Sequence, residues 1–564
     1  MYISNYRRRC KAVFLVFFIL LLLCVGRLLF IQFFRANYLT AIARKQHNKL
    51  MELEPRRGTI YDCNLKAQAF NMSMDSLYAE PNIIKNKDQV AEELSAVLGP
   101  DRQYFRERLN RDKAFIWLER KLTPEKSEKV KKFGIKGLGF IKETKRIYPN
   151  SYLGSHIIGF SGMDNIGLEG IERSYDGYLR GTPGWAIFLR DARMRKLDIW
   201  EKMVLPQDGL DVVLTVDEVI QYIAERELEK AFCDFHAKGA SIVVMDPYTG
   251  RILAMANRPT YDLNDRSGVN KDAMRNRAIC DLFEPGSVFK IVTASAALEE
   301  KKVSENDVFF CENGAYRVGG RILHDHTSHG NLTFRQVIEE SSNIGTVKVA
   351  QILGPDTLYR YIKAFGFGNK TGIDLAGEIS GIIRPPRLWS KTSITAVPMG
   401  QEVGVTALQL ASAISVIANG GQLMKPYIID SIRDNQGTVI KQNKPVFVRK
   451  VISVDTAMRI KKILTGVVEE GTGRLGKVQG FSAAGKTGTA QKLEPNGSYS
   501  HNKFVASFIG FAPAEDPLLV IVVMVDEPHP SYFGGVVAAP VFKKVAGDVI
   551  RYLKGNQIPA EASR

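Results

Sequence analysis

Cysteine is scarce: six residues, at positions 10, 24, 63, 233, 280 and 311, are spread over a chain of 564. That scatter excludes a disulfide framework, and the lack of any CxxC pair excludes a zinc knuckle. The redox compartment stays open. Internal repeats and low-complexity tracts are missing too, which removes solenoids and disordered arrays. Acidic residues are in deficit, 60 against 77 Lys and Arg, for a formal charge of +17. Nearly half of the surplus lies in residues 101–150, with 15 Lys and Arg against 7 Asp and Glu, and no DNA- or RNA-binding module surrounds it. A basic surface facing an anionic cell envelope fits this pattern better than nucleic acid does. At roughly 100 to 200 residues per domain, the length predicts about three domains.

Long apolar runs are rare, and the principal one is N-terminal. Residues 12–34 number 23, with only Arg27 and Gln32 polar. At about 1.5 Å per helical residue they reach roughly 34 Å, enough to cross a hydrocarbon core of about 30 Å. A membrane anchor is predicted. The small-residue triplet Ala41-Ile42-Ala43 lies too far beyond the run for signal-peptide cleavage, and a buried core helix has nothing to pack against at this point of the chain. Arg7, Arg8, Arg9 and Lys11 form the tighter basic cluster, which places residues 1–11 in the cytoplasm, although Arg35, Arg44, Lys45 and Lys49 follow on the other side.

After the anchor, residues 35–54 read as a helical stalk ended by Pro55, and residues 55–210 as short strands and loops with one charge-rich helix. A different texture begins near residue 211. The strand around Leu214 leads to a helix at 218–232. The segments 240–246 and 251–257 then form a hairpin through Pro247-Tyr248-Thr249-Gly250. Helical patterns follow at 287–300, 333–353 and 407–419, and a second hairpin joins 504–512 to 518–526. Strands at both ends with helices between them predict an α/β mixed fold whose sheet is completed by distant segments.

Two chemistries compete for Lys486. The stretch 480–487 (GFSAAGKT) matches GxxxxGK[ST], the phosphate-cradling loop, and LLVIVVMVDE could supply the acidic partner for Mg²⁺. Such a loop must open a helix. Here Gly488 and Thr489 follow, and Pro495-Asn496-Gly497 soon after, which will not hold one. The other reading starts at Pro285-Gly286-Ser287, ahead of an apolar run that brings Lys290 onto the face of Ser287. A serine hydroxyl is a nucleophile only when a base takes its proton, and Lys290 can be that base if burial beside another cation lowers its pKa by about 3 units. SxxK alone is weak, since average usage gives roughly two chance matches in a chain this long. Two further elements support it. Ser341-Ser342-Asn343 offers a hydroxyl to relay a proton and an amide to orient a peptide, and Lys486-Thr487-Gly488-Thr489 precedes a hairpin whose edge can pair with an extended peptide. Lys370-Thr371-Gly372 carries the same letters but lies in loop sequence, so it reads as a structural turn.

SxxK, SxN and KTG in this order resemble the penicilloyl-serine transferase set. Further stretches resemble class B penicillin-binding proteins: Arg57-Gly58-Thr59-Ile60-Tyr61-Asp62, residues 159–184, VVMDPYTGRILAMAN, GIDLAGEISG and AVPMGQEVGVTALQLA. Cys63 and Asn64 depart from the family pattern after Asp62. The serine at position 342 resembles the division-specific branch more than the elongation branch, which tends to carry aspartate there. The resemblance implies a cytoplasmic tail at 1–11, an anchor at 12–34, a stalk and α+β pedestal at 35–210, a transpeptidase domain of antiparallel sheet flanked by helices at 211–556, and a tail at 557–564. It also implies a peptidoglycan D,D-transpeptidase lying outside the cytoplasmic membrane. Ser287 would attack the donor stem peptide, Lys290 would take its proton, and Ser341 would return one to the leaving D-alanine. Lys486 would sustain the positive field, Asn343 would orient the donor, and Thr487, Gly488 and Thr489 would hold it. The backbone N–H groups of Ser287 and Thr489 would form the oxyanion hole. Neither cofactor nor metal is implied. His324, Asp325, His326 and His329 read as groove lining, with Asp325 at the family's acidic loop position, and Cys280 reads as packing. Expected partners are donor and acceptor stem peptides, β-lactams, a glycan polymerase and membrane proteins of the division machinery. Competing readings are a silent β-lactam-binding scaffold or sensor, a hydrolase, and the NTPase.

Overall fold

A computed structural model describes residues 2–39, 48–190, 196–494 and 497–556. The expected tail 557–564 and residues 40–47 of the expected stalk lie outside them. The chain divides into two compact units, residues 1–56 with 181–208, and residues 57–180 with 209–564.

In the first unit the helix Tyr2–Phe34 contains a 28-residue stretch, Arg7–Phe34, long and apolar enough to cross a membrane, with the side chains of its most apolar part exposed among the described residues. The expectation of a helical stalk fails at its second half. Asn48–Leu53 is a strand, paired antiparallel with Gly184–Arg190, which in turn pairs with Lys196–Val204. Helical propensity is a weak prior, and a distant partner strand in register along all six residues overrides it.

The second unit is built on a five-stranded antiparallel sheet in the order Ile252–Arg258, Gly239–Met245, Leu519–Asp526, Tyr499–Ala512, Ala484–Leu493. Both hairpins read from the sequence are present. Its inner strands are buried on both faces, which is why they read as unbroken apolar runs. Alternate side chains part company. Ile242 and Val244 pack with Ile223 and Leu228 of the helix Glu218–Asp234 and with Phe542 and Val545 of Ala539–Asn556. Val243 and Met245 face the opposite core, which holds Val292, Leu410, Ile414 and Ile463. The helix Ala407–Ala418 is buried along its whole length, and a capping box between Thr406 and Gln409 starts it.

Asp211–Leu214 does not join that sheet. It pairs in parallel with Ile60–Tyr61 and antiparallel with Ile429–Arg433, in a seven-stranded sheet that also holds Ala67–Ala79, Ile116–Leu122 and Leu138–Ile147. The strands expected in one sheet therefore fall in two, and the one that carries Lys486 is wholly antiparallel and completed by distant segments, as the resemblance implies. The region 57–180 is also more helical than read, with helices at Lys87–Leu98, Arg102–Leu109 and Pro124–Lys132. Their short apolar faces, such as Val90, Ala91, Leu94 and Leu98, are hard to pick out among so many charges. Its first residues are pinned by a buried ion network. Glu172 accepts from Arg57 (2.7 Å) and Arg146 (2.6 Å), and Arg57 also reaches Asp176 at 2.6 Å. Asn64, a departure from the family pattern, donates to Asp217 at 2.8 Å, the N-cap of Glu218–Asp234.

Candidate active site

The turn that carries Ser287 is a 3₁₀ segment, Gly286–Phe289, which passes directly into the α-helix Lys290–Glu299. Residues three apart eclipse in a 3₁₀ turn, so the spacing that an α-helix would only approximate brings Ser287 and Lys290 onto one line. Behind the turn, Gly286 adopts φ +59° and donates its N–H to the Gly400 carbonyl at 3.2 Å. Gly400 has no room for a side chain: a Cβ there would lie 2.3 Å from the Gly286 oxygen and 2.6 Å from its nitrogen.

Lys290 is 0% exposed. Its Nζ donates to the Ser341 carbonyl (2.5 Å) and to Asn343 Oδ1 (2.8 Å), and lies 3.3 Å from Ser341 Oγ. Burial pulls its pKa down to about 7, and the Asp325 carboxylate opposes that shift. Ser341 sits at φ +61°, where a non-glycine residue is strained. The single helix predicted over 333–353 is therefore two, Phe334–Glu339 and Asn343–Leu353, with the break turning Ser341 toward Lys290.

Asp325 holds that break. Its carboxylate accepts the backbone N–H groups of Asn343 and Ile344 and, at 2.6 Å, the Ser342 hydroxyl. These are charge-assisted bonds at a helix N-terminus, where negative charge is favoured. Both oxygens are thus committed to the helix start. Asn343 Nδ2 donates to the His324 carbonyl at 3.0 Å, which fixes the amide so that Oδ1 faces the lysine. Cys280 is half-buried, with its thiol pushed up to about 12 by burial and Asp281, which suits packing.

Lys486 belongs to the edge strand Ala484–Leu493, not to a loop that opens a helix, so the phosphate-cradle geometry is absent here. It is also 0% exposed, and burial and the neighbouring charge of Lys290 both push its pKa down. The strand packs directly on the serine turn: a Cβ at Gly488 would lie 2.9 Å from Val288 and 3.0 Å from the Pro285 carbonyl, and one at Gly286 3.3 Å from the Thr489 carbonyl. Thr487 and Thr489 alternate with Lys486 and Gly488 along the strand, and so fall on its other face. Their hydroxyls meet Thr472 at 2.9 Å and the Gly534 N–H at 3.1 Å. The Ser287 turn, the cluster of Lys290 with Ser341 and Asn343, and the Lys486 and Gly488 face of the strand therefore adjoin one another. Lys370-Thr371-Gly372 is the structural turn read from the sequence, with Thr371 and Gly372 bonded to the Glu378 carboxylate. The sequence places Asp325 only as groove lining and does not single out Gly400. Both act on backbone far along the chain, and their only sequence signals were a family loop position and a glycine inside a family stretch.

Comparison with known proteins identifies the family. Residues 240–547 match the penicillin-binding protein transpeptidase domain, and residues 52–214 match the penicillin-binding protein dimerisation domain. Stage V sporulation protein D of Bacillus subtilis is 38% identical over 99% of this chain and 88% of its own length. Peptidoglycan D,D-transpeptidase FtsI of Escherichia coli is 31% identical over 93% and 89%. Penicillin-binding protein 3 of Mycobacterium tuberculosis, complexed with aztreonam, superposes with a TM-score of 0.71 at 29% identity, over 89% of this chain and 97% of that one. The chain therefore belongs to the class B penicillin-binding proteins, in which a dimerisation domain precedes the transpeptidase domain.

Proposed function

We propose that the protein is a serine D,D-transpeptidase that cross-links peptidoglycan stem peptides. The observation that carries this reading is the buried Lys290 amine, hydrogen-bonded to Ser341 and Asn343 beside the turn that holds Ser287. In the first half-reaction Ser287 Oγ forms an ester with the carbonyl carbon of the penultimate D-alanine. The amide bond to the terminal D-alanine breaks. The serine proton passes to the Lys290 nitrogen and from there, through the Ser341 hydroxyl, which gives one proton and takes one, to the departing amine. In the second half-reaction the amine of another stem peptide attacks the ester, gives up a proton and releases Ser287. Lys486 holds positive field at the site, Asn343 orients the donor, and Thr487, Gly488 and Thr489 hold it along the strand edge. The N–H groups of Ser287 and Thr489 receive the oxyanion, contacts of a kind whose loss costs about 3 kcal/mol each. A β-lactam opened by Ser287 stays as the ester.

Residues 12–34 are assigned as a single-pass anchor, 35–210 as stalk and pedestal, and 211–556 as the catalytic domain, with the N-terminus cytoplasmic and the domain outside, where the substrate is. A glycan polymerase and division proteins of the membrane are assigned as partners, with the septum as the place of action.

Incubation with a fluorescent penicillin tests this. A covalent adduct mapped to Ser287 by mass spectrometry, and lost in Ser287→Ala, is expected; unchanged labelling of that variant would overturn the assignment. Rescue of a division defect by Ser287→Ala would instead favour a silent scaffold.

A further inference from the structure

Three residues ahead of Ser287, Glu284 makes contacts that none of the motifs requires. Its Oε1 accepts the backbone N–H of Glu402 at 2.8 Å and the hydroxyl of Tyr499 at 3.2 Å. Glu402 follows Gly400, whose carbonyl takes the Gly286 N–H. Tyr499 opens the strand Tyr499–Ala512 and stands opposite Leu493, at the far end of the strand that carries Lys486 and Thr489. One carboxylate therefore fastens the approach to the serine turn to the loop behind it and to the hairpin beside it.

As a purely structural device this is a poor one. Oε2 is buried and has no hydrogen-bond partner among the described residues. The nearby Glu402 carboxylate, which accepts from Ser393 Oγ at 2.6 Å, adds like charge. A half-satisfied carboxylate next to another acid costs stability. The contact surface between turn and strand explains why the cost is tolerable. A Cβ at Gly286 would stand 3.2 Å from Ala490 Cβ and 3.3 Å from the Thr489 carbonyl, and one at Gly488 2.9 Å from Val288, yet among the described residues no hydrogen bond joins the turn to the strand. Packing without a hydrogen-bonded ladder does not by itself fix the register, and a slip of about 1 Å can cost on the order of 100-fold in rate.

We propose that Glu284 is a positioning residue for acylation: through Glu402 N–H and the Tyr499 hydroxyl it holds the Ser287 turn in register with the Thr489 strand, so that the two N–H groups converge on one carbonyl oxygen. The inference rests on the acyl-transfer reading above and deepens it.

The test measures acylation of the full-length protein in detergent by a chromogenic penicillin over a range of concentrations, which separates the non-covalent dissociation constant from the acylation rate constant. Glu284→Ala is expected to lower the rate constant on the order of 100-fold, with the dissociation constant within about threefold. Glu284→Gln, whose amide oxygen accepts the same two donors, should recover to within about fivefold. Tyr499→Phe, which removes one donor, should lose about tenfold. Wild-type acylation by folded Glu284→Ala, a loss confined to the dissociation constant, or Glu284→Gln as slow as Glu284→Ala would each overturn the proposal. If Glu284→Ala does not fold, an unchanged rate constant in Tyr499→Phe overturns it, and a loss there that falls on the rate constant supports it. Ser287→Ala runs in parallel: labelling that survives it defeats the acyl-transfer reading itself, whatever Glu284 does.

Discussion

Lys290 Nζ donates to Asn343 Oδ1 across 2.8 Å and to the Ser341 carbonyl across 2.5 Å. A neutral amine has two N–H bonds and one lone pair. Both N–H bonds are spoken for, so the lone pair is what remains to accept a hydroxyl proton. The contact with Asn343 thereby orients the base as well as anchoring it.

A pH dependence follows. Protonated Lys290 has no lone pair, so the acidic form is inactive, and burial brings its pKa to about 7. The acylation rate constant should rise with pH through a midpoint near 7, and fall again where Lys486, whose pKa is also lowered, gives up its charge. Lys290→Arg should stay inactive at every pH, because a guanidinium does not deprotonate in this range. A flat profile between pH 5.5 and 9 would remove Lys290 from the role of base.

Asp325 has two separable effects. Its negative charge raises the Lys290 pKa against the pull of burial, and its oxygens cap the helix Asn343–Leu353. In Asp325→Asn the amide oxygen still accepts N–H groups but the charge is gone, so the acylation profile should move to lower pH with little loss of fold. Asp325→Ala should lose the cap as well, at about 1 kcal/mol or more, and slow acylation on the order of tenfold or more. An unmoved profile in Asp325→Asn would show that the carboxylate does not act on the lysine.

Gly400→Ala touches no reacting group. Its Cβ would fall within 2.3–2.9 Å of three backbone atoms of Gly286, and residue 400 would be left at φ +79°. Backbone cannot rotate aside as a side chain does, so the serine turn must shift. Acylation should fall by about 100-fold or more while penicillin still labels Ser287 slowly. Normal acylation rates in Gly400→Ala would mean that the turn is not held from behind.

The chemistry-bearing residues are legible in the sequence because each motif is compact. Ser287 and Lys290 are one turn apart, Ser341 and Asn343 adjoin one helix start, and Lys486 to Thr489 are consecutive. What holds them in place is not compact. Asp325 acts on Asn343 from 18 residues away, and Glu284 meets Glu402 across 118. Periodicity also misleads where tertiary contacts decide: residues 333–353 keep an apolar helical pattern through the point where Ser341 breaks it, and residues 48–53 look helical until residues 184–190 offer them a ladder. The apolar strands of the central sheet are legible because burial on both faces makes them nearly continuous apolar runs.

Glu172 gives the last prediction. It is 0% exposed and bonds Arg57 and Arg146 at once, with the Tyr148 hydroxyl 3.3 Å away. In Glu172→Ala two buried guanidinium groups lose their shared counter-charge, and Arg57 keeps only Asp176 as an ionic partner among the described residues. Breaking a buried pair in this way costs about 3–5 kcal/mol, far more than an exposed one. The melting temperature of the full-length protein in detergent should drop on the order of 5 °C. Arg57→Lys should not preserve stability, since an ammonium cannot span Glu172, Asp176 and the Asn165 carbonyl together. Penicillin labelling of Ser287 well below the new transition should persist, because the network lies in residues 57–176, away from the lysine and serine motifs. A variant that melts like the wild type would show that this network adds nothing to stability.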